Sequence, residues 1–116
     1  MKFIISSKKI ELTEKLKKYI KERLLSCEKY IHTDLPLVAR VEVEKTIDHH
    51  KKGEVFMAKV NIVLKDKLLR TEATREDIYL AVNEIRDHLK IECKKYKDIM
   101  IQKRRQTKKE LLKGIK

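Results

Sequence analysis

Along the chain the spacing of apolar residues changes period, and each change marks an element. Residues 2–6, KFIIS, are a short extended run. In LTEKLKKYIKERLLSCEKYI, Leu12, Leu16, Tyr19, Ile20, Leu24, Cys27 and Ile31 then recur every three or four positions. That period predicts an amphipathic helix of about five turns. HTDLP ends it, because Pro36 cannot continue a helix and biases Leu35 toward extended geometry.

The period then falls to two. Leu37, Ala39, Val41, Val43 and Ile47 alternate with Arg40, Glu42 and Glu44, the signature of a half-buried strand. DHHKKGE is a loop tip, and VFMAKVNIVL alternates again with Phe56, Ala58, Val60, Ile62 and Leu64 on one face. KDK is a tight turn into a fourth strand, LLRTEAT. Three consecutive strands on short links predict an antiparallel meander. Thr74 reads as an N-cap with Asp77 three residues on, in the manner of a capping box. Ile78, Val82, Ile85, Leu89 and Tyr96 give the second helix its stripe, running to about residue 100. The expected fold is α+β, in the order β-α-β-β-β-α, with both helices on one face of a four-stranded sheet.

With 116 residues this is one domain with an adequate core, expected to span 1–100. Residues 101–116, IQKRRQTKKELLKGIK, hold seven Lys/Arg and one Glu. This basic C-terminal tail, extending the helix or trailing from it, carries half of the formal charge of +12. A pI near 9.7 points to nucleic acid, an anionic surface or an acidic protein as partner. No run approaches the roughly 18 apolar residues of a membrane span, and MKFIISSKKI has too short an apolar stretch for a signal peptide. No membrane partner is therefore expected, and the location is read as cytoplasmic. Cys27 and Cys93 stand far apart without a CxxC or Cys/His cluster, so neither a disulfide nor a metal site follows.

Catalytic chemistry is poorly supplied. Both cysteines fall on or beside apolar stripes, as structural cysteines do. His49 and His50 are adjacent on a loop, where neighbouring side chains rarely converge on one ion. Glu42, Glu44 and Glu72 project from strands opposite lysines that can pair with them. Hence no enzyme, no cofactor, no metal and no small-molecule substrate are expected. The first helix carries Lys15, Lys17, Lys18, Lys21, Arg23 and Lys29, mostly off its apolar stripe. The second carries Arg86, Lys90, Lys94, Lys95 and Lys97 beyond its acidic start. Sharing one sheet face, the two helices expose a positive saddle that can track phosphates and release counterions. Four Tyr and two Phe make a thin supply for base stacking, which favours recognition of backbone and shape.

Two resemblances follow. Double-stranded RNA-binding domains share the α-β-β-β-α order, but place lysines at the start of the last helix, where this chain has Glu76 and Asp77. A structured-RNA-binding module of that topology is the alternative reading. The chain more closely resembles the ribosome hibernation-promoting factor family, or ribosome-associated inhibitors, over most of residues 1–97. LTEKLKKYIKERLLSCEKY, LLRTEATREDIYLAVNEIRDHL and the KKYK of 94–97 carry the likeness, above all Glu76, Asp77, Ile78, Tyr79, Ala81 and Asn83. The resemblance implies a β-α-β-β-β-α domain bound in the small ribosomal subunit, between head and body, where mRNA and tRNA would sit. It implies translation inhibited by steric exclusion, with rRNA held by basic helix residues. Arg23, Lys29 and Lys95 match basic family positions, and Lys94 and Lys97 match the more basic members. Lys17, Lys21, Arg86 and Lys90 complete the expected RNA-binding set. His88 and Ile91 stand where the family usually has Lys and Arg, and Asp66-Lys67 replaces an Asn-Gly-like turn. Without the second domain of long members, the chain resembles a short form.

Overall fold

Alternation and helical periodicity resolve into one sheet and one helical layer. The computed structural model describes residues 1–31, 37–48, 53–64 and 67–113. Strand β1 spans Lys2–Lys8, helix α1 Glu14–Leu25 and a 3₁₀ turn Glu28–Tyr30. Then come β2 (Val38–Asp48), β3 (Gly53–Val63), β4 (Leu68–Arg75) and helix α2 (Ile78–Lys113). The strand order is β1-β2-β3-β4. β1 runs parallel to β2, as a strand joined by a helical crossover can, and the other pairs are antiparallel.

The register places the apolar positions in rows. Phe3, Ala39, Ile62 and Leu69 lie side by side across the sheet, and so do Ile5, Val41, Val60 and Thr71. Onto this face pack Leu16, Ile20 and Leu24 of α1 and Ile78, Ala81, Val82, Ile85, Leu89 and Cys93 of α2, forming one core. Ile20, Leu24, Ile85 and Leu89 are fully buried, each contributing about 1.5–3 kcal/mol by removal from water. The opposite sheet face is open and charge-alternating, with Lys59 between Glu42 and Glu72 in register. Such cross-strand pairs contribute roughly 0.2–1 kcal/mol.

Four boundaries differ from the periodicity. The helical spacing through Cys27 and Ile31 does not mean one helix to residue 31, because α1 ends at Leu25. There the Ser26 hydroxyl donates to the Arg23 carbonyl at 2.7 Å, and the Cys27 N–H reaches back only to Leu24. The tighter 3₁₀ turn still points Cys27 and Ile31 into the core. At the other end Leu12 precedes the helix, whose cap is Thr13, its Oγ1 accepting from the Leu16 N–H at 3.1 Å. Thr74 does not cap α2: it lies within β4, paired with Met57. Asp77 caps it instead, its carboxylate accepting from the Tyr79 N–H at 2.7 Å and its carbonyl from Ala81. Finally, α2 continues to Lys113, 36 residues in all, because nothing before Gly114 breaks it. The His49-His50 loop tip, the HTDLP segment and Asp66 lie outside the described residues.

Candidate nucleic-acid interface

Helical geometry sorts the basic residues by flank. On α1 the core stripe is Leu16-Ile20-Leu24, and at about 100° per residue Tyr19 and Arg23 fall on one side of it, Lys17 and Lys21 on the other. The Tyr19 hydroxyl donates to Asn83 Oδ1 of α2 at 2.6 Å, so the Tyr19–Arg23 side is the one that meets α2. On α2 the same geometry puts Tyr79, Asn83, Arg86, Lys90, Lys94 and Lys97 on the flank toward α1, and Lys95 on the far flank with His88 and Ile91.

The contacts agree with this division. The Arg23 guanidinium lies 4.5 Å from the Tyr19 ring centroid, and Tyr19 meets Tyr79 edge-to-face at 4.8 Å. Lys29 on the 3₁₀ turn and Lys94 on α2 both place Nζ 5.2 Å from the Tyr30 ring centroid. The Lys90 and Arg86 charges both act on the Cys27 thiol. Burial nevertheless dominates there, and pushes the Cys27 thiol above its ordinary value. Arg23, Lys29, Arg86, Lys90, Lys94 and Lys97 thus flank one seam, where α1 and the 3₁₀ turn meet α2. Lys17, Lys21 and Lys95 do not join it. Lys17 pairs with Glu14 at 3.3 Å and Lys95 with Glu92 at 3.7 Å.

The saddle is therefore less uniform than the sequence suggests. Acids on the outer flanks partner the cations there, Glu22 with Lys18 and Glu84 with Arg75 among them. The aromatic component is stronger than its count implies, since all four tyrosines, Tyr19, Tyr30, Tyr79 and Tyr96, lie in the helical layer. Lys15, absent from the expected set, joins the seam through Tyr79, with Nζ 5.9 Å from the ring centroid. The Arg23 Nε is buried and has no hydrogen-bond partner among the described residues, while the guanidinium lies over the Tyr19 ring. An always-charged fork held over a ring beside a cationic seam suits phosphate oxygens. Among the described residues no group of three His, Cys, Asp or Glu is placed to hold a metal ion. No described helix is long and apolar enough to cross a membrane.

Fold and seam together define an α+β domain with a cationic, tyrosine-lined helical face and an open, charge-mixed sheet face. The chain belongs to the Sigma 54 modulation protein / S30EA ribosomal protein family, whose sequence profile matches residues 3–100. It is 26% identical over 105 residues to the Ribosome hibernation promotion factor of Lactococcus lactis subsp. cremoris (strain MG1363), covering 90% of this chain and 54% of that protein. The protein of the same name from Staphylococcus aureus (strain COL) is 29% identical over 97 residues, 84% of this chain and 48% of that one. The chain thus spans about half the length of these curated relatives. Among solved structures, the Thermus thermophilus Protein Y N-terminal domain matches with a TM-score of 0.67 at 22% identity, over 83% of this chain and 99% of that one. A ribosomal subunit interface protein from Coxiella burnetii matches at 0.63 and 16% identity, over 84% and 99%. At these identities the two structures establish the shared fold.

Proposed function

We propose that this chain is a cytoplasmic ribosome hibernation factor. Its helical face binds rRNA in the small-subunit decoding channel, and its bulk excludes mRNA and tRNA. The action is steric and requires no catalytic group. Family membership and the names of the curated relatives support the ribosome as partner. The cationic seam carries the choice of face, since six of the nine expected RNA-binding residues flank it. The basic segment after residue 100 acts in this reading as an additional arm on the domain.

The test compares two triple variants of equal charge loss. Arg23→Ala/Lys90→Ala/Lys94→Ala strips the seam, and Lys17→Ala/Lys21→Ala/Lys95→Ala strips the flanks. Co-sedimentation with small subunits should be lost at moderate salt for the seam variant and largely kept for the flank variant. Three lost phosphate contacts should also make the slope of log K against log salt shallower by about 2–3. Equal weakening of both variants would reduce the interaction to non-specific charge and sink the proposed face. A wild-type protein found only in light, nuclease-sensitive fractions would favour a module for free structured RNA.

A further inference from the structure

Where the seam runs toward the C-terminal half of α2, the helical layer opens into a cleft. Tyr30, Tyr96, Lys97, Met100, Ile101 and Arg104 line it, around a volume of about 260 Å³. That is just below the roughly 300 Å³ floor of small-molecule pockets, room for one planar group rather than a whole cofactor. Two phenol rings, a thioether and an aliphatic chain supply the apolar surface. The polar groups of the lining are a lysine and an arginine besides the two phenols, and Lys29 and Lys94 stand over the Tyr30 ring.

We propose that this cleft receives one unstacked nucleobase of single-stranded RNA, with Lys97 and Arg104 on the flanking phosphates. The inference rests on the RNA-facing reading of the seam and assigns it a base subsite. An aromatic, apolar slot ringed by cations is complementary to a planar base on an anionic backbone. A base inside a duplex has both faces covered and cannot enter, so the ligand is a loop, a bulge or a single strand. The exposed Lys29 and Lys94 over the part-buried Tyr30 ring are held by only about 0.5–1 kcal/mol and can move to phosphate as the base arrives. A cleft for protein side chains would not require this concentration of positive charge.

Tyrosine fluorescence reads the event directly, because the chain has four Tyr and no Trp. The probes are an oligoadenylate hexamer and an abasic ribose-phosphate hexamer of equal charge, titrated against the full chain. The base-bearing hexamer should bind about tenfold tighter, within the usual range for base–aromatic stacking, and quench tyrosine emission. Tyr30→Leu should erase most of that preference. Met100→Glu places a carboxylate in the cleft without adding a stacking ring and should erase it too, read by labelled-RNA anisotropy with folding checked by circular dichroism. Equal affinity of the wild type for both hexamers, or a preference that survives in folded Met100→Glu, overturns the cleft. Co-sedimentation separates this from the parent reading. A protein that sediments with ribosomes yet does not discriminate the hexamers loses only the cleft. One that discriminates through Tyr30 but does not sediment with ribosomes keeps the cleft and loses the ribosomal role.

Discussion

Tyr19 ties the two helices together, and removing its hydroxyl should separate the structural part of that link from the functional part. In Tyr19→Phe the ring stays in its edge-to-face contact with Tyr79 and under the Arg23 guanidinium. Only the 2.6 Å bond to Asn83 is lost, at a part-buried site. A hydrogen bond of this kind contributes about 1 kcal/mol net, and leaving the Asn83 oxygen without its donor raises the cost toward about 2 kcal/mol. For a domain of this size that lowers Tm by about 4 °C per kcal/mol. Asn83→Ala orphans the tyrosine hydroxyl in turn, so the double variant should cost less than the sum of the singles, with a coupling near 1 kcal/mol. Urea denaturation followed by circular dichroism measures it, provided the m-value is unchanged across the set. Because the ring remains, Tyr19→Phe should bind small subunits as the wild type does, whereas Tyr19→Leu releases Arg23 and should bind less well. A coupling below about 0.3 kcal/mol would refute the proposed tie. So would ribosome binding that falls equally in the Phe and Leu variants.

Leu89 is fully buried between α2 and the sheet, so Leu89→Ala should cost about 2–5 kcal/mol in chemical denaturation. Asp77→Ala removes the side-chain cap of α2 and should cost about 1 kcal/mol, while Asp77→Asn, which keeps an acceptor, should recover most of it. Burial, helped by Cys27 and the Glu92 carboxylate, pushes the Cys93 thiol from 9.0 up to about 12. The folded state therefore holds this proton more tightly than the unfolded chain. Its contribution is complete below pH 9 and is lost as pH rises toward about 12. Stability should accordingly decline over that window less steeply in Cys93→Ala, and native Cys93 should resist thiol reagents until the protein unfolds.

Much of this fold is legible in the sequence because two periods compete so clearly. Ala39, Val41 and Val43 alternate with charged neighbours, and the register confirms that one face is buried. The errors arise where a local rule has two solutions. Cys27 and Ile31 keep helical spacing whether the chain is α-helical or tightens into a 3₁₀ turn, and the backbone bonds of Cys27 to Leu24, Tyr30 to Cys27 and Ile31 to Glu28 set the tighter one. Thr74 and Asp77 are both good caps, and the pairing of Thr74 with Met57 assigns it to the strand. Within the candidate interface, the basic positions were visible but their flanks were not. Lys17 and Arg23 both lie off the α1 stripe, and what separates them is which side of α1 meets α2, a tertiary fact. Likewise a count of tyrosines could not reveal that Tyr30 and Tyr96, far apart in the chain, share a cleft.

Helix α2 has a consequence beyond its contacts. At 1.5 Å per residue its 36 residues extend about 54 Å, and the molecule measures 69 Å along its longest axis. Beyond residue 100 that helix carries Lys103, Arg104 and Arg105 in succession, far along it from the acids Glu76 and Asp77 that precede its start. A charge displaced along a rod is an electric dipole, and in a non-uniform field it experiences torque as well as attraction. Near a polyanion the molecule should turn its basic end inward before any side chain makes contact, so orientation is part of the encounter itself and weakens with added salt.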